Sequence, residues 1–578
     1  MLIDRLVIKK FRSIEKADIW IGNLNAIVGQ NNAGKSCLLR ALNSFFNYEK
    51  EKDAFDSGLH LYAPGTVSKI EIHFNDASDA DVPAKYKSGA KIVVEASFRV
   101  GESGCTRTVR YRAKGAWTED SIILESLKNY IEFILIPPNR DAHQLVQVEE
   151  SVFGQLVEES MSKATEARDN YSSRFRTAIS YLESNALRKI AEDANHGFPI
   201  NNAIRLKIGY RREVSYTNFL QEFGVYVDEE GLTHPLSDCG SGIQSLAIIA
   251  LYNQLASLRE KQILVGLEEP ETNLHPQAQK ELLDYFKTTV VDGHISQFFF
   301  TTHSSVMIDE VDHTDVILFW KRKNDTRGFI SEVKRLRRDF YEAYDLNEFK
   351  YYQFYGYRNS EFFFSRHIVV TESKTEIEVI QKIGENSGLE YDVNGLTYLS
   401  LDGVDNSLYA FALLNELEIP YFLVVDKDFF FPYLNDELEK SRDNNGFPQF
   451  KKTLKDEDLL TYVVSDRQSR EKLLEYANSN HTGMLDLLES YGIVSMRFNL
   501  ETDLVASNSA RDAYYEHLNL HGQEQNSKFL LTNRKKAIKR VDTILKVMDQ
   551  MEPSGWPRSF SRLKRVMNTI TADLGAVV

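Results

Sequence analysis

A phosphate-binding loop stands near the start of the chain. An apolar run at 24–28, typical of a buried strand, leads directly into a G-x-x-x-x-G-K-S motif, and a helical pattern at 37–46 follows it. In such a loop the backbone N–H groups and the helix N-terminus face phosphate oxygens, Lys35 reaches the β- and γ-phosphates, and the Ser36 hydroxyl binds Mg²⁺. Strand, loop and helix together predict a nucleoside triphosphate site. Its predicted residues are Gly29, Asn32, Gly34, Lys35 and Ser36.

A second apolar run, at 263–267, ends in the carboxylates of Glu268 and Glu269. Carboxylates at the end of a buried strand suit a triphosphate site, where one holds Mg²⁺ through water and another orients the attacking water. We assign the first role to Glu268 and the second, catalytic role to Glu269. The alternative is an acidic strand end that only stabilises a neighbouring helix N-terminus.

Two further segments offer phosphate contacts. Small residues between Leu236 and Gln244 open an apolar helix, and small residues at a helix N-terminus form an anion site. His303 follows a strand pattern at 297–301, within reach of a γ-phosphate. Each segment has a plainer explanation, which is a helix N-cap for the loop and polar surface for the histidine. The predicted contacts are Ser237, Gly240, Ser241, Gly242 and His303.

A separate acidic group lies in the second half of the chain. Glu372 follows the apolar run 367–371, and Asp426 and Asp428 follow the apolar run 421–425 as a D-x-D. If these runs are neighbouring parallel strands, the three carboxylates meet at the sheet edge where open α/β sheets bind ligands. Clustered carboxylates repel one another and favour a divalent cation, Mg²⁺ or Mn²⁺. Two such ions can activate a water and stabilise the leaving oxygen in phosphodiester cleavage.

The acidic group has an alternative interpretation as well. Acidic residues are common at strand ends, and an isolated D-x-D is a weak signal, so these carboxylates could be solvated and share no geometry. We include Glu376, in the segment that follows Glu372, among the predicted metal ligands.

The composition is that of a protein with several globular domains. The chain has 578 residues, too many for one hydrophobic core, and is 42% hydrophobic and 26% charged. No apolar run approaches the ~20 residues that span a bilayer. The cysteines Cys37, Cys105 and Cys239 are scattered singly, which favours a reducing cytoplasm over a disulfide framework. The net charge is −15, whereas many nucleic-acid-binding proteins are basic overall. A nuclease, however, needs only a local basic groove.

The nucleotide-site motifs, in this order, resemble the ABC-type ATPase heads of the SMC and RecF group. The resemblance includes Phe11-Arg12-Ser13, the signature-like segment 237–244, the Glu-Glu-Pro-Glu strand end and His303. It implies that the signature loop of one head caps the nucleotide of another. Paired heads, and hence a homo-oligomer (a dimer or a tetramer), follow from it. Glu268 departs from the Asp that is usual in that group, which lengthens its reach to Mg²⁺.

The later acidic group resembles a Toprim domain. An ABC head followed by a Toprim domain is the arrangement of the OLD (overcoming lysogenization defect) family of nucleases, which includes Gabija and retron-linked anti-phage effectors. In that family further contacts come from the C-terminal region. The resemblance implies that Asp503 is an additional catalytic and metal-binding residue. It also implies that Lys536, with Lys535 as the alternative, is a catalytic lysine, and that the loop 403–406 belongs between the acidic motifs.

The resemblance implies an α/β fold and a division of the chain. Alternating strand and helix patterns at 203–310 and from 367 onwards agree with it. The predicted parts are an ABC-type ATPase domain at 1–338, a connector at 339–366, and a Toprim nuclease domain with a helical C-terminal part at 367–578. The ATPase domain has a predicted helical insertion at about 120–202, which is either an arm or a dimer contact.

The implied function is an ATP-binding DNA endonuclease that depends on Mg²⁺ or Mn²⁺ and acts in bacterial anti-phage defence in the cytoplasm. Its ATPase head would regulate the nuclease. The system partner is open: a helicase, a retron reverse transcriptase with its DNA, or none. Two rival functions are a non-catalytic clamp of the RecF type that recruits a partner, and a topoisomerase- or primase-like enzyme.

Overall fold

The computed structural model describes residues 1–75, 82–137, 152, 154–160, 162–196, 225–229, 231–259, 261–291, 295–326, 328–346, 360–393, 395–401 and 407–574. The chain forms two compact units. The first comprises Met1–Ile27, Gly34–Val311 and Lys321–Val333, and the second comprises Val28–Ala33, Asp312–Trp320 and Lys334–Val578. The strand predicted within 203–210 and the loop at 403–406 lie outside the described residues. None of the described helices combines the length and the apolar character that a membrane span requires.

A sheet of thirteen strands dominates the N-terminal half of the described chain. Its strands are β1 Leu2–Phe11, β2 Ile14–Trp20, β3 Leu24–Gly29, β4 Ser68–Asn75, β5 Lys87–Ser88, β6 Lys91–Gly101, β7 Gly104–Ala113, β8 Ala116–Glu119, β9 Ile131–Ile136, β12 Gln262–Glu268, β13 Ile295–Thr301, β14 Val316–Asn324 and β15 Gly328–Lys334. Between β9 and β12 in the chain, a separate hairpin pairs β10 Tyr226–Glu229 with β11 Leu232–Pro235.

The sheet has an antiparallel part and a parallel part. Its order is β8-β7-β6-β4-β1-β2-β15-β14-β3-β13-β12-β9, and β5 pairs with β6. Strands β8 to β2 pair antiparallel, and β4 alternates buried and half-buried residues, as expected when one face is solvated. Strands β3, β13, β12 and β9 pair parallel, and every residue of β3 and β13 is buried. The phosphate loop therefore leaves the carboxyl end of a fully buried strand.

The helices of this half are α1 Ser36–Phe46, α2 Tyr48–Asp56, α3 Ile122–Lys128, α4 Thr165–Leu182, α5 Arg188–His196, α6 Ser241–Arg259, α7 Pro276–Val291 and α8 Ser305–Ile308, with a π-helical turn at Glu183–Leu187 between α4 and α5. The stretch from 120 to 200 is not helical throughout. The apolar run Ile131–Ile136 forms β9 and joins the parallel part of the sheet beside β12.

The second half contains a parallel sheet of four strands in the order β17-β16-β18-β19. The strands are β16 His367–Thr371, β17 Leu396–Ser400, β18 Tyr421–Val425 and β19 Ile493–Ser495. The helices are α9 Phe340–Ala343, α10 Lys374–Glu385, α11 Ser407–Glu416, α12 Glu457–Val463, α13 Arg467–Ser479, α14 His481–Ser490, α15 Leu500–Ala506, α16 Asn508–His517, α17 Ser527–Asn533, α18 Lys535–Ile538, α19 Val541–Asp549 and α20 Arg558–Asp573. The parallel sheet and the helical C-terminal part confirm the predicted fold class.

The C-terminal helices share one hydrophobic core with this sheet. Val369 and Val424 of the central strands are buried in the same cluster as Tyr514 of α16 and Phe560 and Met567 of α20. Thr371 pairs with Val424 in the parallel register, so the residues that follow β16 and β18 emerge at the same edge. The core therefore holds the carboxyl ends of β16 and β18 against the C-terminal helices.

A close approach at Gly266 gives a test of this packing. A Cβ at Gly266 of β12 would lie 2.8 Å from Phe133 Cζ and 3.3 Å from Leu39 Cδ2, and both neighbours are buried. We expect Gly266→Ala to lower the free energy of unfolding by about 1–3 kcal/mol, because the core must shift to admit the methyl group. Gly101→Ala is the control, because open space surrounds Gly101 and the change should stay within about 0.5 kcal/mol. Equal stabilities in urea unfolding would contradict the packing of β12.

Candidate nucleotide site and metal centre

The phosphate loop has the backbone conformation that its glycines permit. Gly29 and Gly34 have φ of 134° and 97°, and Asn32 has φ of 59°, all in the region that side chains rarely adopt. A Cβ at Gly34 would lie 2.5 Å from the Oγ atoms of both Ser13 and Ser331, so a larger residue does not fit. Helix α1 begins at Ser36 immediately afterwards. The loop thus has the strand, loop and helix geometry of a phosphate-binding site.

The Lys35 side chain is buried, and its positive charge favours the binding of an anion there. Only 6% of this lysine is exposed. Burial lowers its pKa to about 8, and the nearby carboxylates of Glu269 and Glu271 oppose that shift. A buried ammonium group is a strong binding site for phosphate oxygens.

Glu269 and His303 lie beside Lys35 in the first unit. Their side chains are 3.7 Å apart, measured from His303 Nε2 to Glu269 Oε1. Burial and the charge of Lys35 lower the pKa of His303. Glu269 has φ of 47°, and its N–H donates to both the carbonyl oxygen and the hydroxyl of Thr301 at 3.1 Å. The structure therefore brings together the predicted lysine, catalytic carboxylate and histidine.

The neighbouring carboxylates have different surroundings. Glu268 is 4% exposed, burial raises its pKa, and its Oε1 lies 3.3 Å from Arg40 Nε. Glu271 was not singled out from the sequence, although it stands in the quoted Glu-Glu-Pro-Glu segment. Its Oε1 accepts hydrogen bonds from the Thr302 hydroxyl at 2.8 Å and from the His303 N–H at 2.7 Å. Glu271 thus fixes the backbone that presents His303.

The signature-like loop forms a compact turn before α6. Ser237 lies in a 3₁₀ turn at Leu236–Asp238, Gly240 is exposed, and Ser241 and Gly242 form the first residues of α6. The Gln244 side-chain amide donates to the carbonyl oxygens of Cys239 at 2.8 Å and Ser237 at 3.2 Å. Gln244 therefore locks the loop onto the start of its helix.

The second unit gathers three carboxylates at the carboxyl ends of β16 and β18. Oxygens of Glu372, Asp426 and Asp428 all lie within 4.8 Å of one another. Burial, followed by repulsion from Asp428 and Glu376, raises the pKa of Glu372 to about 8. Burial and repulsion from Glu372 also raise the pKa of Asp426. Three hard oxygen donors that repel one another in a partly buried site fit a divalent cation such as Mg²⁺ or Mn²⁺.

Hydrogen bonds orient the members of this cluster. Asp426 Oδ1 accepts from the Leu500 N–H at 3.1 Å, and Asp428 Oδ2 accepts from the Tyr433 hydroxyl at 3.1 Å. Glu376 lies near the cluster but also closes a capping box, since its Oε2 accepts from the Ser373 N–H at 2.8 Å and from the Ser373 hydroxyl at 2.6 Å. Its role as a metal ligand stays a prediction.

Asp503 does not join the cluster of three carboxylates among the described residues. It is buried, and its oxygens accept from the Arg497 N–H at 2.8 Å, the Phe498 N–H at 2.9 Å and the Ser559 hydroxyl at 2.6 Å. Burial raises its pKa to about 6 in spite of these bonds. These three donors hold the Asp503 carboxylate in place, and its catalytic and metal-binding role stays a prediction.

Glu501, two residues earlier on α15, faces the carboxylates instead. It is 9% exposed, and its charge helps to raise the pKa of Asp426 and of Glu376. Glu501 Oε1 lies 2.9 Å from Lys539 Nζ. Burial lowers the pKa of Lys539, but the carboxylates of Glu501, Asp426 and Asp428 outweigh it, so the pKa is raised overall.

The structure also separates the three candidate lysines. Lys539 is about half exposed, with 54% of its side chain accessible, and is paired with Glu501. Lys536 is exposed, and Lys535 Nζ pairs with Glu439 Oε1 at 2.9 Å. Of these three lysines, Lys539 is the one that pairs with Glu501 beside the acidic cluster, and the catalytic role of Lys536 stays a prediction. Lys539 belongs to the same basic run as Lys535 and Lys536 but follows the end of α18 at Ile538. Only the position of that helix distinguishes Lys539 from the other two lysines.

Comparison with known families agrees with both sites. Residues 1–134 and 111–308 match the AAA ATPase domain family, and residues 363–428 match the family described as the overcoming lysogenization defect protein-like TOPRIM domain. The fold and the two sites thus define an ATPase domain followed by a Toprim domain. The chain belongs to the AAA ATPase domain family, whose model matches more than half of it, and its second half contains the OLD-like TOPRIM match.

Named relatives of the chain align with it over most of their length. The OLD nuclease of Thermus scotoductus (strain ATCC 700910 / SA-01) is 24% identical over 461 residues, which cover 74% of this chain and 82% of that protein. Endonuclease GajA of Bacillus cereus (strain VD045) is 23% identical over 74% of this chain and 75% of that protein. The Old nuclease of Escherichia phage P2 is 22% identical, with coverages of 73% and 76%.

The two acidic residues of α15 give a test of the assigned roles. We expect Asp503→Ala to lower the free energy of unfolding by about 2–4 kcal/mol, because it leaves two backbone N–H groups and a buried hydroxyl without an acceptor. Glu501→Gln should be as stable as the unchanged protein, because it removes one charge from an acidic neighbourhood and keeps the side-chain shape. Chemical unfolding in the presence of a chelator measures both. An Asp503→Ala protein of normal stability would contradict the structural role.

Proposed function

We propose that this protein is a divalent-metal-dependent DNA endonuclease whose Toprim centre is regulated by its ATPase domain. The observation that carries the proposal is the cluster of Glu372, Asp426 and Asp428 oxygens within 4.8 Å at one edge of a parallel sheet. The names of the relatives, OLD nuclease and endonuclease GajA, support the same activity.

Residues of the Toprim unit have distinct proposed roles. Glu372, Asp426 and Asp428 would hold Mg²⁺ or Mn²⁺, with Glu376 and Glu501 as further oxygen donors at the rim. A bound metal supplies the positive charge and the activated water that phosphodiester cleavage needs. Lys539 places a cation beside these carboxylates, where it can contact the scissile phosphate or its neighbour.

The ATPase unit supplies a separate nucleotide site. Lys35 would bind the β- and γ-phosphates of ATP, Ser36 and Glu268 would serve Mg²⁺, and Glu269 would orient the attacking water. Glu269 already lies near His303 and Lys35, which supports its role in hydrolysis. The ordered loop before α6 would cap the nucleotide of a second copy, so we also propose a homo-oligomer through paired heads.

The biological role is proposed from the family resemblance. A nuclease that joins an ATPase to a Toprim domain fits anti-phage defence in the bacterial cytoplasm, with a helicase or a retron reverse transcriptase and its DNA as candidate system partners.

A nicking assay on supercoiled plasmid tests the nuclease. The purified full chain should nick the plasmid with Mg²⁺ or Mn²⁺ and stop in excess chelator. Asp426→Ala should reduce cleavage to background and keep ATP binding, because the removed carboxylate belongs to the metal centre alone. If the Asp426→Ala protein cuts normally, or the unchanged protein cuts in chelator, the Toprim centre is not the nuclease and a DNA-binding clamp becomes the better explanation.

The lysine assignment has its own prediction. We expect Lys539→Ala to slow cleavage by about 100-fold or more, the effect of removing one donor from a preorganised charge site. Lys536→Ala is the matched control and should cleave at nearly the normal rate, since Lys539 is the lysine that pairs with Glu501 beside the carboxylates. Single-turnover cleavage rates at saturating metal give both values. A larger defect in Lys536→Ala than in Lys539→Ala would reverse the assignment.

A further inference from the structure

Three lysines form a row across the outer face of the antiparallel sheet in the ATPase unit. Lys9 of β1 lies directly opposite Lys16 of β2 and directly opposite Lys69 of β4. Directly opposed residues of antiparallel strands project from the same face, with Cβ atoms ~5 Å apart, and like charges in such positions destabilise the sheet. The row thus has an energetic cost that folding alone does not explain.

The neighbouring positions on this face show the usual arrangement of charges. Arg5 pairs with Asp18 at 2.6 Å, and His73 Nε2 lies 2.7 Å from Glu71 Oε1. Asp18 and Glu71 are the acidic neighbours of the row, since Lys16 helps to lower the pKa of Asp18 and Lys9 helps to lower the pKa of Glu71. Both carboxylates are already bonded to another partner, Asp18 to Arg5 and Glu71 to His73. The lysine row therefore departs from a surface that otherwise balances its charges.

Within the described residues, two members of the row have no ion-pair partner within 4.0 Å. These are Lys9 and Lys16, both of which are exposed. Lys69 has only a long contact of 3.7 Å to Glu95, a carboxylate that also binds Arg110.

A concave surface of about 600 Å³ includes the row. Lys10 and Arg322 also line it, and they pair there with the two acidic lining residues, Glu15 and Glu332. The three lysines of the row are therefore in excess of the local carboxylates. This positive concavity belongs to a chain whose net charge is −15.

We propose that this concavity is a docking surface for the phosphate backbone of duplex DNA on the ATPase unit. The proposal rests on the proposed function, because it takes DNA as the substrate. Duplex DNA carries one charge per ~3.4 Å of axis on each strand, so a row of ammonium groups that crosses three strands can meet successive phosphates. Contacts of this kind position a duplex without reading its sequence. The bound polyanion would relieve the repulsion within the row.

The experiment measures binding apart from cleavage. Fluorescence anisotropy of a labelled 30-base-pair duplex is followed with the full chain in chelator, between 50 and 200 mM salt. The test variant is Lys9→Gln/Lys16→Gln. The matched control is Lys50→Gln/Lys91→Gln, which removes two exposed lysines of the same unit that lie outside the concavity.

Loss of two phosphate contacts has a defined signature. The slope of log affinity against log salt should become shallower by about 2 in the test variant, so that its deficit shrinks about tenfold between 50 and 200 mM salt. The control should follow the unchanged protein. ATP affinity should stay the same, and the unfolding temperature of the test variant should be equal or higher, because a pair of opposed like charges is gone.

The outcomes separate this surface from the nuclease. An unchanged salt slope in a test variant that still nicks plasmid would overturn the surface and leave the nuclease intact. A shallower slope in a protein that shows no metal-dependent nicking would support the surface and remove the nuclease. If the test variant binds ATP more weakly and binds the duplex normally, the lysines belong to nucleotide binding and the proposal is overturned. The proposal is also overturned if the unchanged protein binds no duplex.

Discussion

Repulsion among Glu372, Asp426 and Asp428 is the constraint on which the second unit depends. Burial and mutual repulsion raise the pKa of Glu372 and of Asp426, and carboxylates within 4.8 Å of one another would move apart in a flexible chain. The parallel register of β16 and β18 holds their backbones together, and the Leu500 N–H and the Tyr433 hydroxyl hold two of the side chains. The core that joins α16 and α20 to the sheet makes this arrangement rigid. The fold thus keeps a set of oxygens ready for a cation.

In the nucleotide site, carboxylates also lie close together, and the basic side chains of Lys35 and Arg40 stand among them. Lys35 stands among Glu269 and Glu271, and Arg40 stands beside Glu268, so each buried carboxylate group has a basic neighbour. Glu268 Oε1 lies 3.3 Å from Arg40 Nε. Glu271 then connects the acidic strand end to the Thr302 hydroxyl and the His303 N–H. The two sites therefore differ in composition, because basic side chains stand among the carboxylates of the first, whereas three carboxylates meet directly in the second.

Local chemistry explains which parts of this arrangement could be predicted from sequence. The loop at 29–36 and the acids after β16 and β18 follow buried strands directly, so their positions depend only on strand ends. Glu501 and Lys539 could not be distinguished from Asp503 and Lys536 in this way. Their roles depend on which side of α15 faces β18 and on where α18 ends, and tertiary packing decides both. The strand β9 escaped prediction because its short apolar run stands within a charged, helical stretch.

The contribution of the C-terminal helices to the acidic centre bears on how such proteins can be rearranged. The match to the Toprim family ends at residue 428, yet Leu500 orients Asp426, and Glu501 and Lys539 border the cluster from still further along the chain. The Toprim segment is therefore not a portable module. A gene fission, a domain transplant or a truncated expression fragment that respected the family boundary would keep the three strand-end acids and lose their supports. The part of the chain that must be kept together to preserve the acidic centre is therefore its whole second half.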